Sequence, residues 1–471
     1  MTKLFTLSLA LLFLLSCSSS QPHFSRITSH LPAQNVFRNI AAETSRDNDS
    51  EGVSRRIEAL LNKGLTQNDA VTIALLNNRE LQAKFARIGL TQAQIQGSLP
   101  ENPTAGTTLI LDGHDALSYE AHFSHNLASV LHANRQRATL RHQLEAEYKL
   151  AAAEVMRLAL STRKAYHAFV ASLAKRELQR EIMSSEAAAQ ELTKRLDKAG
   201  NITKLDFMLS KSQFETSKLK FSEFENAVVE RKEALNRLMG LWGEQTNWQA
   251  SNTFNELKIS IPKFDKLESA VVDASLELSR ISDQIRFQSA QVGLARQRAW
   301  LPNFSIGWKA SNDNDIAHNG PILGFTLPLF SSADIMTGMA QVRLKQLENI
   351  YYSKAVEIRS FARQKFFQVT TLREQTQVYE AQIVPLSRSI VDFAQLEYNG
   401  MQIGLFKLIA YKKAQFEHAI QFINRRLMLN NASLELAAAI NGYVDVDSPP
   451  PQTMQTMNQQ QMNIQPLHAG H

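Results

Sequence analysis

The side chains best suited to chemistry lie near the end of the chain. Met454, Met457, Met462, His468 and His471 fall within a C-terminal stretch, residues 444–471, that is otherwise rich in Gln and Pro. Thioethers and imidazoles are soft or borderline ligands suited to copper or silver. The plainer reading of the same residues is a disordered Gln-rich tail with too little apolar content to fold, so no metal site is assigned from them. His122 and His125 sit in a stretch of alternating polarity and fall on opposite faces of a strand, which weakens them as a ligand pair. The chain has one cysteine, Cys17, so it can form no internal disulfide and no CxxC zinc or redox site. HExxH, GxSxG, GxxxxGK(S/T) and GxGxxG do not occur. The remaining carboxylates and bases are scattered along helical patterns and read as solvated faces. Lys and Arg number 51 against 45 Asp and Glu, but they are spread out rather than clustered, which argues against a nucleic-acid partner. The expectation is a protein that is not an enzyme and carries no cofactor.

The elements that would hold these residues begin with the N-terminus, MTKLFTLSLALLFLLSC. Lys3 precedes an apolar run from Leu4 to Leu15, well short of the ~20 residues a spanning helix needs, so residues 1–16 read as a secretory signal. Leu14-Leu15-Ser16-Cys17 resembles the lipobox of bacterial lipoproteins. That resemblance implies cleavage before Cys17, acylation of its thiol and new amino terminus, and, with Ser18 following, sorting to the outer membrane. Residues 17–64 are then a lipid-anchored linker.

The chain is duplicated. Ala70-Val71 and Ala74 match Ala270-Val271 and Ala274 at an offset of 200. Leu99-Pro100 and Asn102-Pro103 match Leu301-Pro302-Asn303, and Lys198-Ala199-Gly200 matches Tyr398-Asn399-Gly400. Leu238-Met239-Gly240 matches Ile440-Asn441-Gly442. The repeats are 65–242 and 265–443, joined by 243–264. Each reads as helix, two strands, long helix, sharp break, helix. A helix is expected over 66–98 and strands over 104–112, 117–124, 303–311 and 320–330, each close to the ~9–11 residues that cross a membrane as a β-strand. Four strands of a soluble sheet with one wet face would alternate in the same way.

The long helices argue for the membrane version. With only 18 Gly and 13 Pro in 471 residues, the run from Ala133 to Ala199 contains neither. At 1.5 Å per residue it makes a rod of about 100 Å, seamed by Leu140, Leu144, Tyr148, Ala151, Val155, Leu158, Thr162, Ala165, Phe169 and Leu173. A second rod runs from Met339 to Glu397, with a kink expected at Pro385. Four strands cannot close a barrel, and open edges in lipid leave backbone groups unsatisfied, so several copies must share one barrel.

Over residues 65–443 these features resemble the outer membrane efflux proteins related to TolC. The marks are LT…A…AL…N..L at 65–81, the LP.NP break at 99–103, the PLF strand end at 328–330, and the tips at 198–202 and 398–403. The resemblance implies a mainly α protein with a membrane β-barrel portion, in which three copies form a twelve-stranded barrel above an α-helical periplasmic tunnel. It implies a homotrimer in the outer membrane of a Gram-negative bacterium, lipid-anchored, with helices reaching into the periplasm. The tips would dock a periplasmic adaptor through Gly200, Asn201, Ile202, Gly400, Met401 and Ile403, and the adaptor would couple to an inner-membrane pump of the resistance-nodulation-division type. The glycines are expected to supply the turn between antiparallel helices, through positive φ or close approach. TolC-like channels carry acidic residues past the second tip. Here Asp206 follows the first tip, and the second is followed by Leu405-Phe406-Lys407-Leu408-Ile409. A hydrophobic constriction at Phe406 and Ile409 is one reading, and simple coiled-coil packing of those residues is the other. The tip Tyr398-Asn399-Gly400-Met401 looks like that of channels paired with heavy-metal pumps, which inclines the cargo toward metal ions such as copper, with drugs as the alternative. A periplasmic coiled-coil adaptor or structural lipoprotein, or a duct for type I protein secretion, are the competing functions.

Overall fold

A computed structural model describes residues 50–111, 117–251, 264–301, 303–313, 316–326 and 333–445. Cys17, residues 327–330 and the Met and His residues of the tail lie outside them. The linker expected over 17–64 ends in a helix, α1 (Ser50–Asn62), whose Ile57 is part of the core. The expected single helix over 66–98 is two, α2 (Gln67–Asn77) and α3 (Arg79–Gly97). They break at Asn78, where ψ is 111°. Asparagine side chains compete with the helical backbone. Here Asn78 Oδ1 accepts from Leu81 N at 3.0 Å while its Nδ2 donates to the Leu238 carbonyl at 3.0 Å.

Strands β1 (Thr104–Leu111) and β2 (Leu117–Asn126) lead into α4 (Leu127–Lys198), a helix of 72 residues. It starts six residues earlier than the Gly- and Pro-free run suggests, because Asn126 caps it by accepting from Ala128 N at 3.1 Å. Arg195 and Lys198 in its last turn complement the helix dipole. A tight tip returns the chain along α5 (Lys204–Met239), which ends on Gly240 in the left-handed conformation.

The second repeat runs α6 (Phe264–Ala274), α7 (Leu276–Trp300), β3 (Phe304–Asp313), β4 (Ile316–Phe325), α8 (Ala333–Val378), α9 (Val384–Asn399) and α10 (Leu405–Ile440). Strand β4 starts four residues before the boundary expected at Gly320 and takes in Pro321. Proline lacks an N–H but is tolerated at a sheet edge, which is where β4 lies. The kink expected at Pro385 takes the form of a π-helical turn over Tyr379–Ile383, placing Pro385 in the first turn of α9.

The structure also corrects the register of the duplication. Asn78 and Ser275 are the equivalent breaks: each side chain caps the following helix by accepting from the amide three residues on, Leu81 and Leu278. The offset there is 275 − 78 = 197 rather than 200, and it grows to 201 by the paired 36-residue helices α5 and α10.

All four strands form one antiparallel sheet in the order β1-β2-β3-β4, so the β2–β3 pairing joins the two repeats. Beneath it, one core gathers α1 to α5 around Tyr148, Leu235 and Met239. A second joins α6, α7, α8 and α10 around Leu267, Ile358 and Leu436. Tyr166 ties the first core to the chain crossing it, donating between the carbonyls of Leu65 (2.9 Å) and Ser251 (3.0 Å). Among the described residues no helix is long and apolar enough to cross a membrane.

Candidate conducting path and hairpin tips

The register sorts the strand residues onto two faces. Phe123 pairs with Trp308, which pairs with Pro321, and Ile306 pairs with Leu323, so these side chains share one face with Tyr119 and Phe325. All are exposed apart from the intervening small positions, a pattern a soluble sheet avoids and a lipid-facing one requires. The opposite face carries Thr104, Glu120, His122, Ser124, Ser305, Lys309 and Ser311. There Lys309 Nζ pairs with Glu120 Oε1 at 2.6 Å, and Thr104 and Ser124 share a hydroxyl hydrogen bond of 2.8 Å. His122 belongs to this polar face and His125 to the apolar one. Among the described residues no group of three His, Cys, Asp or Glu side chains is placed to hold a metal.

At the far end of the rods, both tips are built the same way but not on the expected residues. In the first, Gly200 N donates to Asp197 O (3.1 Å) and Asn201 N to Leu196 O (2.9 Å), closing the helix around Gly200 at φ +71°. In the second, Met401 N donates to Tyr398 O (2.9 Å) and Gln402 N to Glu397 O (2.8 Å). The left-handed residue is therefore Met401, at φ +58°, whereas Gly400 has φ −81°. Gly200 corresponds to Met401, not to Gly400: matching the two glycines by identity puts the alignment out by one. This double closure is the Schellman arrangement, which normally selects glycine. Met401 is 94% exposed, Asn201 is exposed, and Ile202 and Ile403 are half-buried beside them.

Just past the tips, Asp206 is engaged in capping α5. Thr203 Oγ1 accepts from Asp206 N at 3.1 Å and donates to Asp206 Oδ2 at 2.7 Å. Gly404 occupies the corresponding cap of α10 with no side-chain bond. Ile409 is buried within the protomer together with Leu408, and Phe406 is half-buried.

The rods also contain buried charges where the helical pattern predicts only solvated faces. Glu435 on α10 binds Lys164 of α4 at 2.5 Å through one oxygen and Lys365 of α8 at 2.6 Å through the other. Burial alone would raise the Glu435 carboxyl, but the hydrogen bonds and charges of the two lysines outweigh it and hold the group below the usual carboxylate range. Asp283 on α7 is paired with Lys149 of α4 and with Arg286 at 3.1 Å. The available signal for Glu435 was its setting, Ala432-Ser433-Leu434-Glu435-Leu436-Ala437-Ala438-Ala439, where a lone carboxylate interrupts an apolar run.

No family model matches the sequence, and no curated protein does. Solved structures do. CusC, described as forming a transmembrane channel, superposes with a TM-score of 0.67 at 15% identity, over 80% of this chain and 92% of its own. The CmeC outer membrane channel of Campylobacter jejuni gives 0.67 at 15% identity, over 85% and 90%. The chain has the fold of a TolC-like outer membrane channel. The open-state MtrE outer membrane channel of Neisseria gonorrhoeae matches as well, with a TM-score of 0.64 at 14% identity over 81% and 90%. The TolC-like fold accounts for the mainly α body with duplicated halves and for a sheet whose edges, β1 and β4, are unpaired among the described residues.

Proposed function

We propose that this protein is the outer-membrane channel of a tripartite efflux system, a passive duct rather than an enzyme. The observation that carries the reading is the sheet: four antiparallel strands, one face apolar and exposed, the other polar, with both edges unpaired among the described residues. Such a sheet is unstable in lipid unless copies join edge to edge, and three copies of four strands close a barrel of a size known for membrane proteins. The polar face then lines water, and the rods continue the passage away from the membrane. A soluble adaptor needs no such sheet, so the adaptor reading loses its support. Energy comes from a pump, for which the resemblance suggests the resistance-nodulation-division type, and the tips around Asn201, Ile202, Met401 and Ile403 meet the adaptor. Acylation at Cys17 adds a lipid anchor. Asp206 and Phe406, nearest the tips, are the candidate constriction; Ile409, expected to join them, is buried in the protomer and fits the coiled-coil packing reading instead. The cargo is heavy-metal ions such as copper, or drugs.

The test is purification in detergent followed by planar-bilayer recording. A trimer that dissociates only on heating and conducts ions in discrete steps supports the duct. A monomer that stays soluble without detergent and does not conduct sinks it. Deleting the gene and measuring tolerance to copper, silver, zinc and several antibiotics then assigns the cargo.

A further inference from the structure

Three carboxylates are buried among the described residues: Asp283, Glu435 and Glu186. The first two each receive two cationic side chains. Glu186 receives none: it is 3% exposed, and its buried Oε2 has no hydrogen-bond partner. A buried carboxylate with no ion pair and an unbonded oxygen is costly, so its setting bears on its purpose. Glu186 lines a cavity of about 290 Å³ between α4, α5 and α10, where the two helical hairpins of the protomer meet. That volume holds roughly ten water-sized atoms, near the lower end for small-molecule sites.

The lining is of two kinds. Ile182, Phe224 and Ile420 supply apolar surface. Gln179 and Thr216 supply neutral hydrogen-bonding groups. Lys413 also lines the cavity but forms no ion pair with Glu186, while Glu417 and Glu223 keep the carboxylates in excess over Lys413 and Lys220. We propose that this cavity is a binding site for a small organic cation, a primary ammonium or guanidinium on a compact apolar body, with Glu186 as its counter-ion. The apolar body lies against Phe224 and Ile420, and the ammonium donates to Glu186 Oε2. A cation seated there bridges the two hairpins of the tunnel wall. Burial pushes the Glu186 carboxyl up, with Lys413 opposing only in part, so the empty site takes up a proton more readily than a free carboxylate. Cation binding displaces that proton and weakens as pH falls. The groups facing Glu186 from its neighbours are Lys220 and Glu223 on α5 and Lys413 and Glu417 on α10.

Benzylamine is a suitable probe, because it carries one ammonium on a ring that fits the volume. Calorimetric titration of the full-length protein in detergent is expected to show saturable binding, at least tenfold weaker in Glu186→Gln and several-fold tighter in Lys413→Gln. Benzyl alcohol, of the same shape without the charge, is expected not to compete. Absence of saturable benzylamine binding to the wild type overturns the proposal. So does equal binding to Glu186→Gln, or full competition by benzyl alcohol, which would reduce the site to a greasy crevice. Glu186→Gln is close to isosteric, and its circular dichroism and trimer content check that it folds. Its bilayer conductance reports on the duct separately, so failure of one reading leaves the other standing.

Discussion

Gly442 lies against the backbone of Ala274: a Cβ built on it would stand 2.4 Å from the Ala274 carbonyl oxygen, and its φ is +97°. Gly240 stands in the same relation to Asn77 in the first repeat, at 2.9 Å and φ +67°. Each glycine lets the end of one helix pass over the break between two others. Gly442→Ala should therefore cost both left-handed strain, about 1–3 kcal/mol, and a backbone displacement. Gly200→Ala, with φ +71° but open space around it, should cost the strain alone. Thermal unfolding of the two variants should rank Gly442→Ala clearly lower. Equal losses would show that the contact with Ala274 is unimportant.

Met401 reverses the usual logic. A left-handed, fully exposed methionine costs about 1–2 kcal/mol of local strain that glycine would not. Met401→Gly is expected to raise the melting temperature slightly while lowering capture of the adaptor in a pull-down. Unchanged capture would mean that the exposed thioether contributes nothing to docking.

These positions also mark how far the sequence could be read. The order of elements was legible because Gly and Pro are scarce and several of them mark boundaries, as at Leu99-Pro100, and because polarity alternates with period two in the strands. What sequence identity misplaced was register. Gly400 looks like the partner of Gly200, yet the closing hydrogen bonds select Met401, since the backbone position and not the residue type is what recurs. The helix break at Asn78 was hidden because its cause, bonds that Asn77 and Asn78 make to Leu238, Met239 and Gly240, lies some 160 residues away. Glu435 stands out only as a lone carboxylate in an apolar run, and Glu186 looks like an ordinary surface charge in a helical period. Only packing of α10 on α4 and α8 makes one a paired ion, and only the meeting of α4, α5 and α10 makes the other an unpaired one.

Glu435 should be sensitive to which partner is removed. Glu435→Ala leaves Lys164 and Lys365 facing each other with no counter-charge and should cost about 3–5 kcal/mol. Replacing all three by apolar residues of similar size should cost far less. Because the folded carboxyl is held low, its contribution is complete above the ordinary carboxylate range and is lost as pH falls through the folded value. Chemical denaturation of wild type and Glu435→Gln between pH 3 and 6 would test this, and parallel curves would refute it.

His167 acts in a different window. Burial first, and then the charge of Arg163, push its imidazole down to about 4. The unfolded chain binds a proton near pH 6.5 and the folded one does not, so stability should decline as pH drops from about 6.5 to about 4. The full shift corresponds to roughly 3 kcal/mol. His167→Leu should flatten that slope whatever it does to absolute stability. A slope that survives the substitution assigns the acid sensitivity to another group.

The free edges of the sheet make the most direct claim. If copies join edge to edge, β1 of one protomer runs beside β4 of the next, and same-face residues on the two strands approach within disulfide range at some register. Thr108 lies on the polar face of β1, and His318, Gly320 and Ile322 lie on the polar face of β4. Combining Thr108→Cys with a cysteine at each β4 position in turn should give, for at least one pair, an oxidised ladder ending at three chains. Cysteines placed across the central pairing, as in Ala121→Cys with Ala310→Cys, should instead close within one chain, because those residues are already partners. If every β1–β4 pair ran as a monomer under oxidising conditions, the edges would not meet and the shared barrel would have to be abandoned.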